Sequence, residues 1–85
     1  MPATHRVYVL QNPKKLRYIG FTENVAIRVE QHNSGMTAST RAKGPWELIW
    51  QSDQLELADA RTLESNLKRQ KGGNGFYQIT GLPKT

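Results

Sequence analysis

Residues 5 to 21 read HRVYVLQNPKKLRYIGF, a stretch rich in β-branched and aromatic side chains that is interrupted by Asn12-Pro13. Such side chains favour β-strands, and an Asn-Pro pair favours a turn. The stretch therefore predicts a β-hairpin with strands over residues 5–11 and 16–21.

A first helix is expected directly after the hairpin. Apolar residues recur at helical spacing, at Val25, Ala26 and Val29. Thr22 is the expected N-cap, and residues 33–35, Asn-Ser-Gly, form a typical stop. The sequence therefore predicts a helix of about three turns.

The next region predicts a loop followed by a third strand. Residues 36–45 have no hydrophobic period and are polar and basic, which is typical of a loop. Residues 46–50 alternate large apolar residues with mixed ones, as strands do. Trp46 and Trp50 are interpreted as core residues, and stacking on nucleobases is the alternative.

A second, amphipathic helix is predicted from apolar residues at steps of three and four, namely Leu57, Ala60, Leu63 and Leu67. Asp53, with Glu56 three residues later, is expected to cap this helix. Residues 72–73, a Gly-Gly pair, are expected to end it. The tail, residues 74–85, predicts either a short strand or a turn against the body.

The order strand, strand, helix, strand, helix predicts an α+β fold. We expect a three-stranded, mainly antiparallel sheet flanked by helices. A chain of 85 residues suits a single domain over residues 1–85.

Composition narrows the classes of function. The chain has no cysteine, which excludes disulfide frameworks, thiolate zinc sites and cysteine nucleophiles. Its apolar runs are too short for a membrane helix or a signal peptide, so a cytoplasmic protein without membrane association is expected. Twelve Lys and Arg against seven Asp and Glu give a net charge of +5, which favours an acidic partner such as nucleic acid.

Short motifs at consistent spacing resemble those of a known family. Tyr18-Ile19-Gly20 stands intact, and Arg6-Val7-Tyr8 lies ten residues upstream with its tyrosine in place. Further matches are Thr22, Arg28, His32-Asn33-Ser34-Gly35, Glu64 and the segment Leu67 to Tyr77. Together they resemble the GIY-YIG nuclease superfamily, in particular small stand-alone members related to the nuclease domain of bacterial excision-repair endonucleases. Arg6 and Val7 depart from the glycine and isoleucine of the family's first motif.

The resemblance implies a hydrolytic nuclease that uses one divalent metal ion, Mg²⁺ or Mn²⁺, and no covalent intermediate. It makes Glu64 the carboxylate that binds the metal. Such hard ions are commonly held by one or two carboxylates together with water and substrate phosphate. The alternative for Glu64 is an ordinary helix-surface ion pair with Lys68 or Arg61.

Arg28 and His32 are four residues apart in the first predicted helix, so both project from one face and can converge on one phosphate. Arg28 is the candidate clamp for transition-state charge, because a guanidinium offers paired donors. For His32 three interpretations stay open. It orients or polarises a catalytic tyrosine, donates to phosphate, or caps helix contacts.

By the resemblance, Tyr8 and Tyr18 line the same pocket, with Tyr8 as general base toward water and Tyr18 as a positioning or proton-relay group. A phenol can act as a base only if a cation or metal lowers its pKa from about 10. A shared pocket also requires a hairpin loop with an odd number of residues, such as residues 12–14, or a bulge. Without the resemblance, both tyrosines are simply strand residues packed on a sheet.

Candidate substrate-binding residues surround this pocket: Gly20, Arg41, Lys43, Lys68, Arg69, Lys71 and Asn74. Gly20 suggests a close approach of backbone to a neighbour or to substrate, although a glycine ending a strand is the alternative. The basic residues are candidates for a phosphate track. Those at the end of the second helix also suit the helix dipole.

The sequence therefore predicts a metal-dependent endonuclease that hydrolyses DNA phosphodiester bonds. The chain leaves no room for a separate recognition domain, so a protein partner is a candidate source of specificity. One alternative is a nucleic-acid-binding module that keeps the fold without significant cleavage. Another is a protein-interaction domain whose basic face meets an acidic partner.

Overall fold

The computed structural model describes residues 2–70 and 73–83. Their elements are, in chain order, β1 (Arg6–Gln11), β2 (Arg17–Thr22), α1 (Val25–Asn33), β3 (Glu47–Gln51), α2 (Leu57–Arg69) and α3 (Asn74–Thr80). The strands form one antiparallel sheet in the order β2-β1-β3, so the predicted α+β class is confirmed. Within the described ranges, every helix is too short or too polar to cross a membrane.

The hairpin of β1 and β2 turns over three residues. Arg6 pairs with Thr22 and Gln11 with Arg17, and the Asn12 amide donates to the Leu16 carbonyl. The Asn12 side chain accepts hydrogen bonds from the backbone amides of Lys14 and Leu16, which stabilises the turn. Because the turn has an odd number of residues, even-numbered residues of both strands share one face and odd-numbered residues share the other.

One face of the sheet, here called the odd face, packs on α2 and α3. Its buried hydrophobic residues are Val7, Val9, Ile19, Ala60, Leu67 and Phe76. The second half of the chain therefore folds onto the odd-numbered residues of the hairpin.

The opposite face, here called the even face, packs on α1 and the loop before β3. Tyr8, Leu10 and Trp46 are its buried hydrophobic residues, and Tyr18 packs against them. Trp46 is a core residue, as expected, and its indole donates to the Thr40 carbonyl. A bulge between Val9 and Leu10 shifts the pairing of β1 with β3.

Both predicted helix caps are wrong. The N-cap of α1 is Asn24, whose side chain accepts from the Ile27 amide. Thr22 instead ends β2, and its hydroxyl accepts from the Asn24 amide. The N-cap of α2 is Glu56 without a side-chain hydrogen bond, so Asp53 does not cap it. Both helices therefore begin later in the chain than predicted, because β2 extends to Thr22 and the segment before α2 extends to Glu56.

The tail is neither a strand nor a simple turn. Residues 74–80 form α3, which buries Phe76 and ends at Gly81 with a φ of 73°. Burial of this ring stabilises a helix that contains Gly75 and has little intrinsic propensity. The predicted stop of α2 at residue 72 lies outside the described residues.

Candidate active site at the edge of the sheet

The hairpin brings Tyr8 and Tyr18 to the same face. Tyr8 pairs with Gly20, and Leu10 pairs with Tyr18, so the two tyrosines are offset by two positions. Their ring centroids lie 6.2 Å apart. The register that a shared pocket requires is therefore present, and it comes from the three-residue turn rather than from a bulge in β2.

Gly20 provides space for the phenol of Tyr8. A Cβ atom at Gly20 would lie 2.7 Å from the Tyr8 Oη and 2.9 Å from its Cζ. Both distances are shorter than non-bonded contacts allow. The Tyr8 side chain thus lies across the glycine toward β2, the edge strand of the sheet. Of the two close approaches expected at Gly20, to a neighbour or to substrate, the structure shows the approach to a neighbour, the Tyr8 ring.

His32 is the buried residue of α1 and connects the phenol to the following loop. It is 1% exposed, and its Nε2 lies 2.8 Å from the Tyr8 Oη. Its Nδ1 lies 2.8 Å from the Oγ1 of Thr40. The ring centroid of Tyr18 is 4.6 Å away. His32 therefore contacts both tyrosines, which agrees with the first of its three open interpretations.

Arg28 lies one helical turn before His32 and faces the same site. Its guanidinium lies close enough to the Tyr8 phenol to lower the pKa of that group. The Nη1 atom donates to the Gln31 Oε1 at 2.8 Å, which fixes the side chain on α1. The spacing of four residues places this cation and the imidazole side by side, as expected.

Tyr8 and His32 are both uncharged at neutral pH. Burial, together with the neighbouring Tyr18 and Glu64, raises the pKa of Tyr8 to about 12 against the lowering effect of Arg28. Burial and the positive charge of Arg28 lower the pKa of His32 below 6.5. The side chains of this site therefore do not give Tyr8 the lowered pKa that a tyrosine base needs on its own.

Glu64 approaches the site from α2. Its side chain is 19% exposed, and its Oε2 lies 3.5 Å from the Nζ of Lys68. Its charge contributes to the raised pKa of Tyr8, so the carboxylate acts on the phenol across the sheet edge. Glu64 thus forms the helix-surface pair that was the alternative, and it also lies within electrostatic range of the tyrosine.

Lys68 joins the same edge. A cleft of about 330 Å³ is lined by Lys68, Arg17, Tyr18 and Ile19. Half-exposed Lys68 and partly buried Tyr18 therefore border the same open space beside β2. An anionic substrate can enter at this point.

The donor set at this edge fits a hard divalent ion. In the described part of the chain, no three side chains of His, Asp or Glu cluster closely enough to enclose a metal. Mg²⁺ and Mn²⁺ do not need such a cage, because waters and substrate phosphates complete their coordination. A half-buried carboxylate beside an open cleft, as Glu64 offers, is compatible with that mode of binding.

The other predicted substrate residues that the structure describes lie in the loop before β3, at the end of α2 and at the start of α3. Arg41 donates to the Gly35 carbonyl, and Lys43 lines a cleft of about 470 Å³ at the hairpin turn. Arg69 donates to the Asn66 side chain at the end of α2, and Asn74 begins α3. Lys71 lies outside the described residues. The structure thus collects Tyr8, Tyr18, Arg28, His32, Glu64 and Lys68 at the edge of β2.

Thr40 is the site residue that sequence reasoning missed. It is 1% exposed and lies in the aperiodic loop, eight residues after His32. A buried hydroxyl in a polar loop has no periodic signal. Its position depends on how the loop folds back over α1.

The chain is similar to known proteins over most of its length. Residues 4–77 match the family described as the GIY-YIG catalytic domain. A UPF0213 protein of Oceanobacillus iheyensis is 30% identical over 70 residues, which cover 81% of each chain. The human structure-specific endonuclease subunit SLX1 is 47% identical over 36 residues, which cover 38% of this chain and 13% of that protein.

Among solved structures, the solution NMR structure of a UPF0213 protein from Bacillus halodurans is 28% identical to this chain. The superposition covers 95% of this chain and 98% of the other, with a TM-score of 0.48.

Proposed function

The chain belongs to the GIY-YIG catalytic domain family, which indicates a nuclease, and from this premise we propose that it hydrolyses DNA phosphodiester bonds with a divalent metal ion. One observation carries the proposal. The buried phenol of Tyr8 lies 2.8 Å from the Nε2 of His32, with the guanidinium of Arg28 and the carboxylate of Glu64 in electrostatic range.

Phosphodiester hydrolysis needs an activated water, stabilised charge on the phosphate oxygens and a neutralised leaving oxygen. Tyr8 contacts the water in this proposal. As the water oxygen bonds to phosphorus, the bond from phosphorus to the leaving oxygen breaks, and the leaving oxygen takes a proton from solvent water. The proton of the attacking water passes to the Tyr8 Oη, and the phenolic proton passes to the His32 Nε2. The relay avoids a free phenolate, so a pKa near 12 does not prevent Tyr8 from acting.

His32 suits the receiving end of this relay. Its lowered pKa keeps the imidazole neutral at neutral pH, so a ring nitrogen with a lone pair is available. Tyr18 packs against the ring at 4.6 Å and holds its orientation. Arg28 supplies paired donors for the phosphate oxygens as negative charge develops.

Glu64 is the residue that would hold Mg²⁺ or Mn²⁺. The ion would lower the pKa of a bound water and neutralise charge on the phosphate. Lys68, which pairs with Glu64, borders the cleft and adds positive charge where the strand enters. Lys43, Arg41, Arg69 and Asn74 are proposed as more distant contacts to the nucleic acid.

DNA is the proposed substrate because the chain carries a net charge of +5 and a family match to a nuclease domain. A protein partner is the proposed source of specificity. The human relative is named as a subunit of a structure-specific endonuclease, which supports this part of the proposal.

Nicking of supercoiled plasmid tests the proposal. Wild type and Glu47→Ala, a control at an exposed carboxylate of β3, are expected to nick DNA with Mg²⁺ or Mn²⁺ but not with EDTA. Glu64→Ala and Arg28→Ala are expected to lose nicking. Plasmid binding without cleavage by wild type would contradict the enzyme and favour a nucleic-acid-binding module.

A further inference from the structure

Thr40 is held in place by contacts that do not use its hydroxyl. Its carbonyl accepts from the Trp46 indole at 3.1 Å, and its amide donates to the Thr37 carbonyl at 3.2 Å. The hydroxyl oxygen lies 2.8 Å from the Nδ1 of His32 and is shielded from solvent. A fixed backbone thus aims one buried hydroxyl at one side of the imidazole.

A neutral imidazole carries one N–H and one lone pair, so its two neighbours must play opposite roles. On the Nε2 side, the Tyr8 Oη lies 2.8 Å from the nitrogen, and a phenol can donate its proton to a lone pair there. On the Nδ1 side, the Thr40 hydroxyl donates to the Thr37 carbonyl at 3.4 Å, so its oxygen can accept. The Thr40 end therefore selects the tautomer with the proton on Nδ1, and the phenol at the other end can donate to the free Nε2.

We propose that Thr40 is a positioning residue that holds His32 in the Nδ1-protonated tautomer, so that the Nε2 lone pair faces the Tyr8 phenol. The inference rests on the proposed function, in which Nε2 receives the phenolic proton. In the other tautomer, Nε2–H would donate to the Tyr8 oxygen, and no lone pair on Nε2 would be available for the phenolic proton. The relay from Tyr8 would then be blocked at its first transfer.

Three variants separate this role from simple packing. Thr40→Val removes the hydroxyl and keeps the shape, and Thr40→Ser restores a hydroxyl. Thr37→Val is the matched control, because the Thr37 Oγ1 is buried in the same loop and has no hydrogen-bond partner among the described residues. Its removal leaves the contacts of His32 intact.

The readout is the pair of imidazole ¹⁵N shifts of His32, measured by long-range proton–nitrogen correlation. The chain has two histidines, so His5 is the only other signal. Wild type, Thr40→Ser and Thr37→Val are expected to carry the proton on Nδ1, and Thr40→Val is expected to shift it toward Nε2. A proton on Nε2 in wild type, or an unchanged tautomer in Thr40→Val, would overturn the inference.

The nicking rate gives a second, separate readout. Thr40→Val is expected to be about tenfold slower or more, as is typical when a residue that orients a functional histidine is lost, and Thr40→Ser to recover most of the rate. Should Thr40→Val not fold, the wild-type tautomer and the Thr40→Ser rate still decide the matter. If the tautomers are as expected but wild type cuts no DNA, the proposed function fails while the role of Thr40 stands.

Discussion

The two faces of one small sheet are built differently. The odd face buries an apolar cluster against α2 and α3, with Val7, Val9 and Phe76 fully covered. The even face also buries polar atoms, in a chain of hydrogen bonds that runs from Tyr8 through His32 to Thr40. Each of these residues is at most 1% exposed. A polar group out of water costs free energy unless it is hydrogen-bonded, and here each one has a partner.

This difference separates stability from chemistry. Apolar side chains of similar size could fill the even face without any hydrogen bonds. The hydrogen-bonded side chains of Tyr8, His32 and Thr40 are therefore not needed for packing. Changes on the even face are therefore expected to reduce activity more than stability. Changes on the odd face are expected to do the reverse.

The largest effect is expected from Tyr8→Phe. The ring remains, but the relay loses its oxygen, and nicking should fall by about 10²–10⁴-fold, the usual contribution of a general acid–base group. Stability should fall by only about 1–3 kcal/mol, because one buried partner atom on His32 is left unsatisfied. Single-turnover nicking and urea unfolding measure the two effects. Wild-type nicking by this variant would remove Tyr8 from the chemistry.

Phe76→Ala is the counterpart on the odd face. The ring is fully buried, and its loss should lower the free energy of unfolding by about 3–5 kcal/mol. The nicking rate per folded molecule should stay near the wild-type value at a temperature where the variant is folded. Urea denaturation and active-site-normalised rates check this, with Phe76→Leu as the milder control. A slower folded enzyme would show that the two faces are not independent.

Gly20→Ala tests how closely the phenol approaches β2. The added Cβ would lie 2.7 Å from the Tyr8 Oη, so the phenol must move, at a cost of about 1–3 kcal/mol and with a loss of activity. Gly73→Ala is the control, since its nearest contact would be an ordinary 3.4 Å. Comparison of unfolding and nicking for the two variants decides the point. Equal behaviour of both would mean that Gly20 is not required by Tyr8.

A smaller effect is expected from pH. The pKa of His32 is lowered in the folded protein, so below pH 6.5 the unfolded chain binds the proton more readily. Stability should therefore fall as pH drops from 6.5 through the folded pKa, and this slope should shrink in His32→Gln. Urea midpoints between pH 7 and pH 5 measure it. A His32 signal that titrates at or above 6.5 in NMR would contradict the buried, neutral imidazole.

The smallest effect concerns charge on the two sides of the hairpin turn. Lys43 lines a cleft with Lys14 and Leu16, whereas Lys15 lines two other clefts, one with Arg17 and Ile49 and one with Trp46 and Glu47. Lys43→Glu should weaken DNA binding and reduce the salt slope by about 1, as expected when one phosphate contact is lost. Lys15→Glu should change neither. Fluorescence anisotropy at several salt concentrations distinguishes the two variants. Equal weakening of DNA binding by both would mean that DNA does not contact Lys43 in preference to Lys15.

Local patterns were sufficient for most of the fold. The hairpin, both longer helices and the third strand follow from alternation, helical spacing and turn residues within a few positions. The Tyr8 and Tyr18 register could be stated in advance only as a condition on turn length. Asn12 settles it through two backbone hydrogen bonds that no hydrophobic pattern encodes.

What sequence reasoning missed depends on tertiary contacts. The helix α3 exists because Phe76 is buried, which overrides two nearby glycines. Thr40 reaches His32 only because the loop folds back over α1. The raised pKa of Tyr8 likewise depends on burial, which is a property of packing and not of spacing.

The central claim is that Glu64 and the buried phenol chain form one metal-dependent site. Paramagnetic broadening by Mn²⁺ in NMR tests it most directly, with a non-cleavable phosphorothioate oligonucleotide present. The account predicts selective broadening of the Tyr18 and His32 ring signals, which is lost in Glu64→Gln and kept in Glu47→Gln. Broadening that is absent from these rings, or that persists unchanged in Glu64→Gln, would contradict it.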